Sequence, residues 1–116
     1  MNRSSVNRPM PHHRLEVWGV AWELYRLVRE ARVRDTELRN QALRSAKSCC
    51  LNIAEGAGRV SRADKARVFA IARAEAVECV AAIEIAGEGG DVSADAVAGA
   101  LALGDRAVAM LTRLVR

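Results

Sequence analysis

The sequence is poor in aromatic residues: two tryptophans, one tyrosine and one phenylalanine in 116 positions. Sheet sandwiches fill their cores largely with aromatic and β-branched side chains, so this shortage disfavours them. Proline is as scarce, and both copies, Pro9 and Pro11, lie near the N-terminus. Everything after His12 is therefore free of the strongest helix breaker. The only two histidines are the neighbours His12 and His13. Adjacent residues at a helix start cannot face one metal from the same side, and they suggest no Ser–His–Asp or Cys–His catalytic set. Cys49, Cys50 and Cys79 are odd in number and lack C-x-x-C spacing. That fits a reducing cytoplasm rather than a disulfide framework or a zinc site. No uncharged apolar run approaches the roughly 18–20 residues of a membrane span, and MNRSSVNRPMPHHR holds no apolar signal-peptide segment. The expectation is a cytoplasmic protein with no membrane partner, metal or cofactor.

What the sequence has in abundance is alanine, about a fifth of all residues. Alanine favours helix and permits close helix packing, and the length suits one domain, so the fold class expected is all-α. The formal charge of +4 is unevenly spread. Residues 1–62 carry twelve Lys/Arg against six Asp/Glu, and residues 63–116 carry six against eight. Such asymmetry suits a polyanion or an acidic partner, and equally a soluble surface.

Hydrophobic spacing predicts four helices after a polar, Pro-containing arm over residues 1–12; residues 13–116 form one domain. The first helix spans about 13–33, with Val17, Trp18, Ala21, Leu24, Tyr25 and Val28 on one side. Asp35-Thr36-Glu37 reads as the cap and acidic first turn of a second helix, ending near 57. Its inner face holds Leu38, Ala42, Ser45, Cys49, Asn52, Ile53 and Gly56. Gly58 suits a left-handed position after that helix. Ser61, followed three residues later by Asp64, caps a third helix over 62–86, with Phe69, Ala72, Ala76, Cys79, Val80 and Ile83 inward. The Gly87–Gly90 run breaks it, and Ser93 caps a fourth helix. The inner seam of that helix reads Val97, Leu101, Gly104, Val108, Leu111 and Val115. Short connections imply antiparallel neighbours in an up-down-up-down four-helix bundle.

The fourth helix carries a second stripe, Ala96, Leu103, Ala107, Met110 and Leu114, and the third carries Ile71, Ala74, Ala81 and Ile85 around Glu78. Two apolar faces on one helix imply two neighbours on different sides. A homo-oligomer is therefore expected, with Leu103, Ala107, Met110, Leu114, Ile71 and Ile85 at the contact. The alternative is a wider core that absorbs both stripes. Trp22, at the edge of the first helix's polar face, suits a subunit anchor, a base-stacking side chain or a cover for the bundle's edge. Glu78 needs a cationic or hydrogen-bonding partner if buried, with Arg44, Arg59 and Arg67 as candidates.

The stretch NIAEGAGR, residues 52–59, closes the second helix. On local grounds Gly56 allows close packing, Gly58 reverses the chain, and Arg59 lies where a helix C-terminus favours a cation. EGAGR lacks the Lys-Ser/Thr of a phosphate-binding loop and follows a helix rather than a strand. Glu55 with Glu75 or Glu78 makes no glycosidase-like pair without a cleft. No enzyme is expected.

The same stretch carries a resemblance. SCCLNIAEGAGRVS, Ser48 to Ser61, is similar to the signature S-x-P-x-N-I-A-E-G-x-G-R-x-S of the small bacterial proteins of the 23S ribosomal RNA intervening-sequence family. Asn52, Ile53, Ala54, Glu55, Gly56, Gly58, Arg59, Ser61 and then Asp64 match. Leu15, Val17 and Trp18 resemble the L-x-V-W opening of the family's first helix, Gln41 and Arg44 its Q-L-R-R segment, and Ile71, Ala72 and Glu78 its I-A-x-G-S-x-x-E helix. Cys50 replaces the signature proline, Ala57 an aromatic, Leu43 a basic residue, and Ala74-Glu75 a Gly-Ser pair. The resemblance implies a left-handed four-helix bundle and a homo-pentamer. It is related to the accessory variability determinant of diversity-generating retroelements, a pentameric bundle that binds nucleic acid and a reverse transcriptase. By analogy the protein holds RNA or a ribonucleoprotein, or a nucleic-acid-processing protein, on a basic surface. Arg44, Lys47 and Arg59 are the residues expected there, as phosphate contacts. Asn52 is expected inward as a polar contact between helices, and Glu55 to restrain Arg59. The competing expectation is a protein-interaction scaffold whose apolar grooves, with Trp22, receive a partner protein and no nucleic acid.

Overall fold

A computed structural model describes residues 9–116 of the chain; most of the expected N-terminal arm, residues 1–8, lies outside the described residues. Four α-helices account for most of it: α1 Glu16–Ala31, α2 Thr36–Gly58, α3 Arg62–Glu88 and α4 Ala94–Val115. No strand occurs among the described residues. Each helix packs on its neighbour in the chain, and α4 packs back on α1 to close the bundle.

The helix starts follow from local chemistry. Asp35 Oδ1 accepts from the Leu38 amide at 2.9 Å, Ser61 Oγ from Asp64 at 3.1 Å and Ser93 Oγ from Ala96 at 3.1 Å. Each cap satisfies an amide that the helix itself leaves unpaired. The ends differ more from expectation. A 3-10 turn, Pro11–Arg14, precedes α1, and Leu15 in extended conformation separates the two, so α1 starts three residues later than its periodicity suggests. Arg32, with φ of 51°, ends α1 in the left-handed region. Gly58 is not the reversal point: it stays helical, and Arg59 leaves α2 in an extended conformation. The left-handed glycine stands at the next connection, after α3, at Gly90 with φ of 74°. There the amides of Gly90 and Asp91 bond back to the carbonyls of Gly87 (3.1 Å) and Ala86 (2.8 Å), the paired reach-back that closes many helices.

The interior is built on small residues. Ala42, Ala46, Ala72, Ala76, Ala86, Ala100 and Ala107 are fully or almost fully buried, around Leu24, Ile53, Ile83 and Leu111. Glycines form notches for side chains of the facing helix. A Cβ at Gly56 would lie 2.8 Å from Cδ1 and Cε1 of Phe69, and one at Gly99 would lie 2.6 Å from Leu27 Cδ1. Val80 fills the space at Gly104 in the same way, and Val97 that at Gly87.

The α4 seam corrects the sequence reading. The buried line is Ala100, Gly104, Ala107 and Leu111, which falls between the two apolar stripes. Leu101, expected inward, is 43 % exposed. Ala107, expected at a subunit contact, has no exposed surface and belongs to the chain's own core. Leu103, Met110 and Leu114 pack partly buried against that core. The wider core has absorbed most of the second stripe, because α4 wedges between α3 and α1 and needs both flanks.

Gly56 and Gly58 should respond oppositely to alanine. Gly56→Ala pushes against the Phe69 ring and should lower unfolding free energy by about 1–3 kcal/mol. Gly58→Ala meets open space and should raise it by about 0.5–1 kcal/mol. Urea unfolding of both variants checks this; a Gly56→Ala protein as stable as the parent would show that the notch is dispensable.

Candidate functional site

The outward face of α2 carries the cations singled out in the sequence. Arg44 and Lys47 are both exposed there. Arg44 donates to Gln41 Oε1 at 2.6 Å. Arg59 stands apart from them: its guanidinium is 2.5 Å from Glu55 Oε2, one turn back, as the i,i+4 spacing predicts. Leu51, 69 % exposed, lies on the same face between Lys47 and Glu55. The basic patch is therefore Arg44 with Lys47, and Arg59 is charge-compensated. Among the described residues only one other ion pair forms, Arg67 with Asp64 at 3.6 Å, and both pairs are solvent-exposed.

Beside this patch a polar network joins α2 to α3. Glu78 Oε2 accepts from Gln41 Nε2 at 2.5 Å and from Ser45 Oγ at 2.7 Å. Among the described residues no arginine touches Glu78; Arg44 reaches it only through the Gln41 amide. Two sequence signals pointed here and were not joined: Ser45, a polar residue on the inner face of α2, and Glu78, an acid in an apolar stripe. Ser45 is buried and needs a hydrogen-bonding partner, which Glu78 supplies although it is itself exposed. Asn52 corrects another expectation. Its Nδ2 donates within α2, to the Ser48 carbonyl at 2.8 Å and the Ser48 hydroxyl at 3.1 Å, so it bridges no helices.

The three cysteines are free and buried between these helices. Burial, and then the neighbouring thiols and Glu75, push Cys49 up to about 12. Cys79 is pushed up to about 12 by burial first, then by Cys50, Glu75 and Glu78. Cys50 rises to about 11, again through burial. Thiols held protonated in this way are poor nucleophiles and poor metal ligands at neutral pH. Among the described residues no three His, Cys, Asp or Glu side chains gather where they would hold a metal ion.

A second cluster lies along α1. The His12 ring sits edge-on to Trp18 with centroids 4.5 Å apart, and Trp18 is 5.6 Å from Trp22. His12 is held below its usual range by desolvation and then by the charge of His13. Trp22 is 47 % exposed, and further along the helix Arg29 lies 5.9 Å from the centre of the Tyr25 ring. His12, expected in a loose arm, is packed instead, because the 3-10 turn folds it onto Trp18.

A small bundle with a tight helical core, a polar α2–α3 network and no described helix apolar and long enough to cross a membrane is the class this chain represents. The family model described as 23S rRNA-intervening sequence protein matches residues 13–113, and the chain belongs to that family. None of the curated proteins compared with it matches the sequence.

The thiols give a pH dependence. A thiol pKa raised from 9.0 to about 12 in the folded state stabilises the fold fully below pH 9, and the benefit is lost as pH climbs from about 9 towards 12. The melting temperature should fall over that window. Cys49→Ala/Cys79→Ala should flatten the alkaline fall; an unchanged slope would place its origin in other groups.

Proposed function

We propose that the protein is a non-catalytic, cytoplasmic RNA-binding subunit that works as a homo-oligomer, pentameric as its family resemblance implies. The observation that carries the reading is the outward side of α3. Ile71, Val77 and Ile85 are 42 %, 49 % and 59 % exposed there, close to exposed Ala74 and Ala81. An apolar face of this extent on a small bundle suits burial by a second copy. It replaces the α4 stripe as the expected subunit contact, with Ile71 and Ile85 retained from the sequence reading. The RNA-binding role draws on the excess of basic residues and on Arg44 and Lys47, which have no carboxylate partner among the described residues and suit phosphate contacts.

The antiparallel, left-handed course of the helices belongs to the same proposal. Contacts along neighbouring helices run in opposite senses, which supports the antiparallel course, while the left hand is what the family resemblance implies: Gln41 with Glu78 and Gly56 with Phe69 between α2 and α3, Val80 with Gly104 and Gly87 with Val97 between α3 and α4.

Binding of a structured RNA across a salt series tests the role, with sedimentation alongside. Affinity should fall steeply with salt, and Arg44→Ala/Lys47→Ala should reduce the slope of log K against log salt by about 1–2. Ile85→Glu should lower the sedimenting mass. Absence of RNA binding at low salt rejects the role in favour of a protein scaffold, whose apolar contacts would be indifferent to salt.

A further inference from the structure

We infer that the outer edge of α1 is a stacking track for single-stranded polynucleotide, with Trp22 as its principal base-contacting side chain. The inference deepens the RNA-binding role proposed above and rests on it, but places the base contacts on α1 rather than α2.

Trp18, Trp22, Tyr25 and Arg29 are spaced by four, three and four residues, so they line one stripe of the helix over about 16 Å. All but one of the chain's benzenoid and indole rings lie in this stripe, the exception being the buried Phe69. His12 extends it at one end, edge-on to Trp18, and Trp18 in turn lies against Trp22. At the other end the guanidinium of Arg29 sits over Tyr25. The groove beyond, of about 480 Å³, is lined by Arg26, Arg29, Glu30 and Arg32, and its three arginines against one carboxylate give it net positive charge. Among the described residues none of the three arginines forms an ion pair with a carboxylate. Trp18 and Tyr25 pack partly buried against the core and Trp22 is the exposed ring, so one open indole, followed along the helix by guanidinium groups, matches the chemistry of bases and phosphates on one strand.

A second observation concerns Gly19. It is the fourth residue of α1, in the first turn, where glycine is still a poorer helix former than alanine. Its backbone is not left-handed, and a Cβ there would meet nothing within 4 Å, so neither turn geometry nor packing accounts for it. Gly19 is one turn before Trp22 and on the same side of α1. Helical side chains lean towards the N-terminus, so the Trp22 ring lies over the turn containing residues 18 and 19. With glycine at 19, one flank of that ring is bare, and a base has room to stack there.

Trp18 and Trp22 are the only tryptophans, so their fluorescence reports on the track itself. The probes are an oligouridylate, a DNA strand of the corresponding oligothymidylate, and a double-stranded RNA. Both single strands should quench the fluorescence, and the duplex, whose base faces are covered, should not. Trp22→Ala should weaken single-strand affinity by about 5- to 100-fold, read by anisotropy of a labelled strand. Gly19→Leu fills the bare flank and should weaken binding while leaving the melting temperature equal or higher, which separates a lost site from a lost fold. Single-strand affinity unaffected by both variants overturns the track but leaves the RNA-binding role standing, with Arg44 and Lys47 as its site. Failure of every polynucleotide to bind the parent protein overturns both. A response to RNA alone keeps the track and assigns its specificity to the 2′-hydroxyl.

Discussion

The close approach of α3 to the helices on either side is the constraint on which the bundle depends. Phe69 enters the notch at Gly56 of α2, and Val80 the notch at Gly104 of α4. Both contacts require the absence of a side chain on the neighbour, and both bring backbones near enough for alanines to fill the remaining space. A core of this kind gains little from any one large side chain. It relies on many small contacts made at short range, which is why overfilling it is as costly as emptying it. Trp22, Leu51, Ile71 and Ile85 lie outside this interior, on the surface of the bundle.

The exposed residues are sorted by helix. Apolar residues collect on α3 and aromatic ones on α1, while Arg44 and Lys47 occupy the outside of α2. The surface is thereby divided into three strips with different chemistry on different helices. A subunit contact along α3 would leave α1 open. The Glu78–Ser45–Gln41 network sits at the seam between the apolar strip and the basic one, and fixes the rotation of α3 against α2 by directional bonds rather than by shape alone.

Much of this was legible in the sequence, and the reason differs from element to element. The caps at Asp35, Ser61 and Ser93 were readable because a cap involves four consecutive residues and no tertiary partner. The ion pair of Glu55 with Arg59 is local in the same sense. The family signature of residues 48–61 was readable as a pattern, yet it disclosed nothing of what each residue does: Gly56 is a notch, while Gly58 has open space around it and an ordinary backbone. Rotation of α4 was not legible, because a helical wheel identifies apolar stripes but not which flank meets α1 and which meets α3. The partner of Glu78 lay 33 residues away on another helix, beyond any local rule. Packing of His12 on Trp18 was hidden for a related reason: the prolines that marked an arm also fold its last residues back through a 3-10 turn.

The two loops that flank the α1–α2 and α3–α4 connections are tied to one another. Arg34 donates its amide to the Asp91 carbonyl at 2.9 Å and its guanidinium to the Gly90 carbonyl, and the left-handed Arg32 brings it into position. The remaining connection, between α2 and α3, has only local bonds, and Val60 at its tip is 96 % exposed. For protein engineering this asymmetry selects the place to cut. A tag, a fused domain or new chain termini belong at Val60, where insertion leaves both flanking helix ends intact, whereas the same insertion between residues 32 and 35 would unlatch two connections at once.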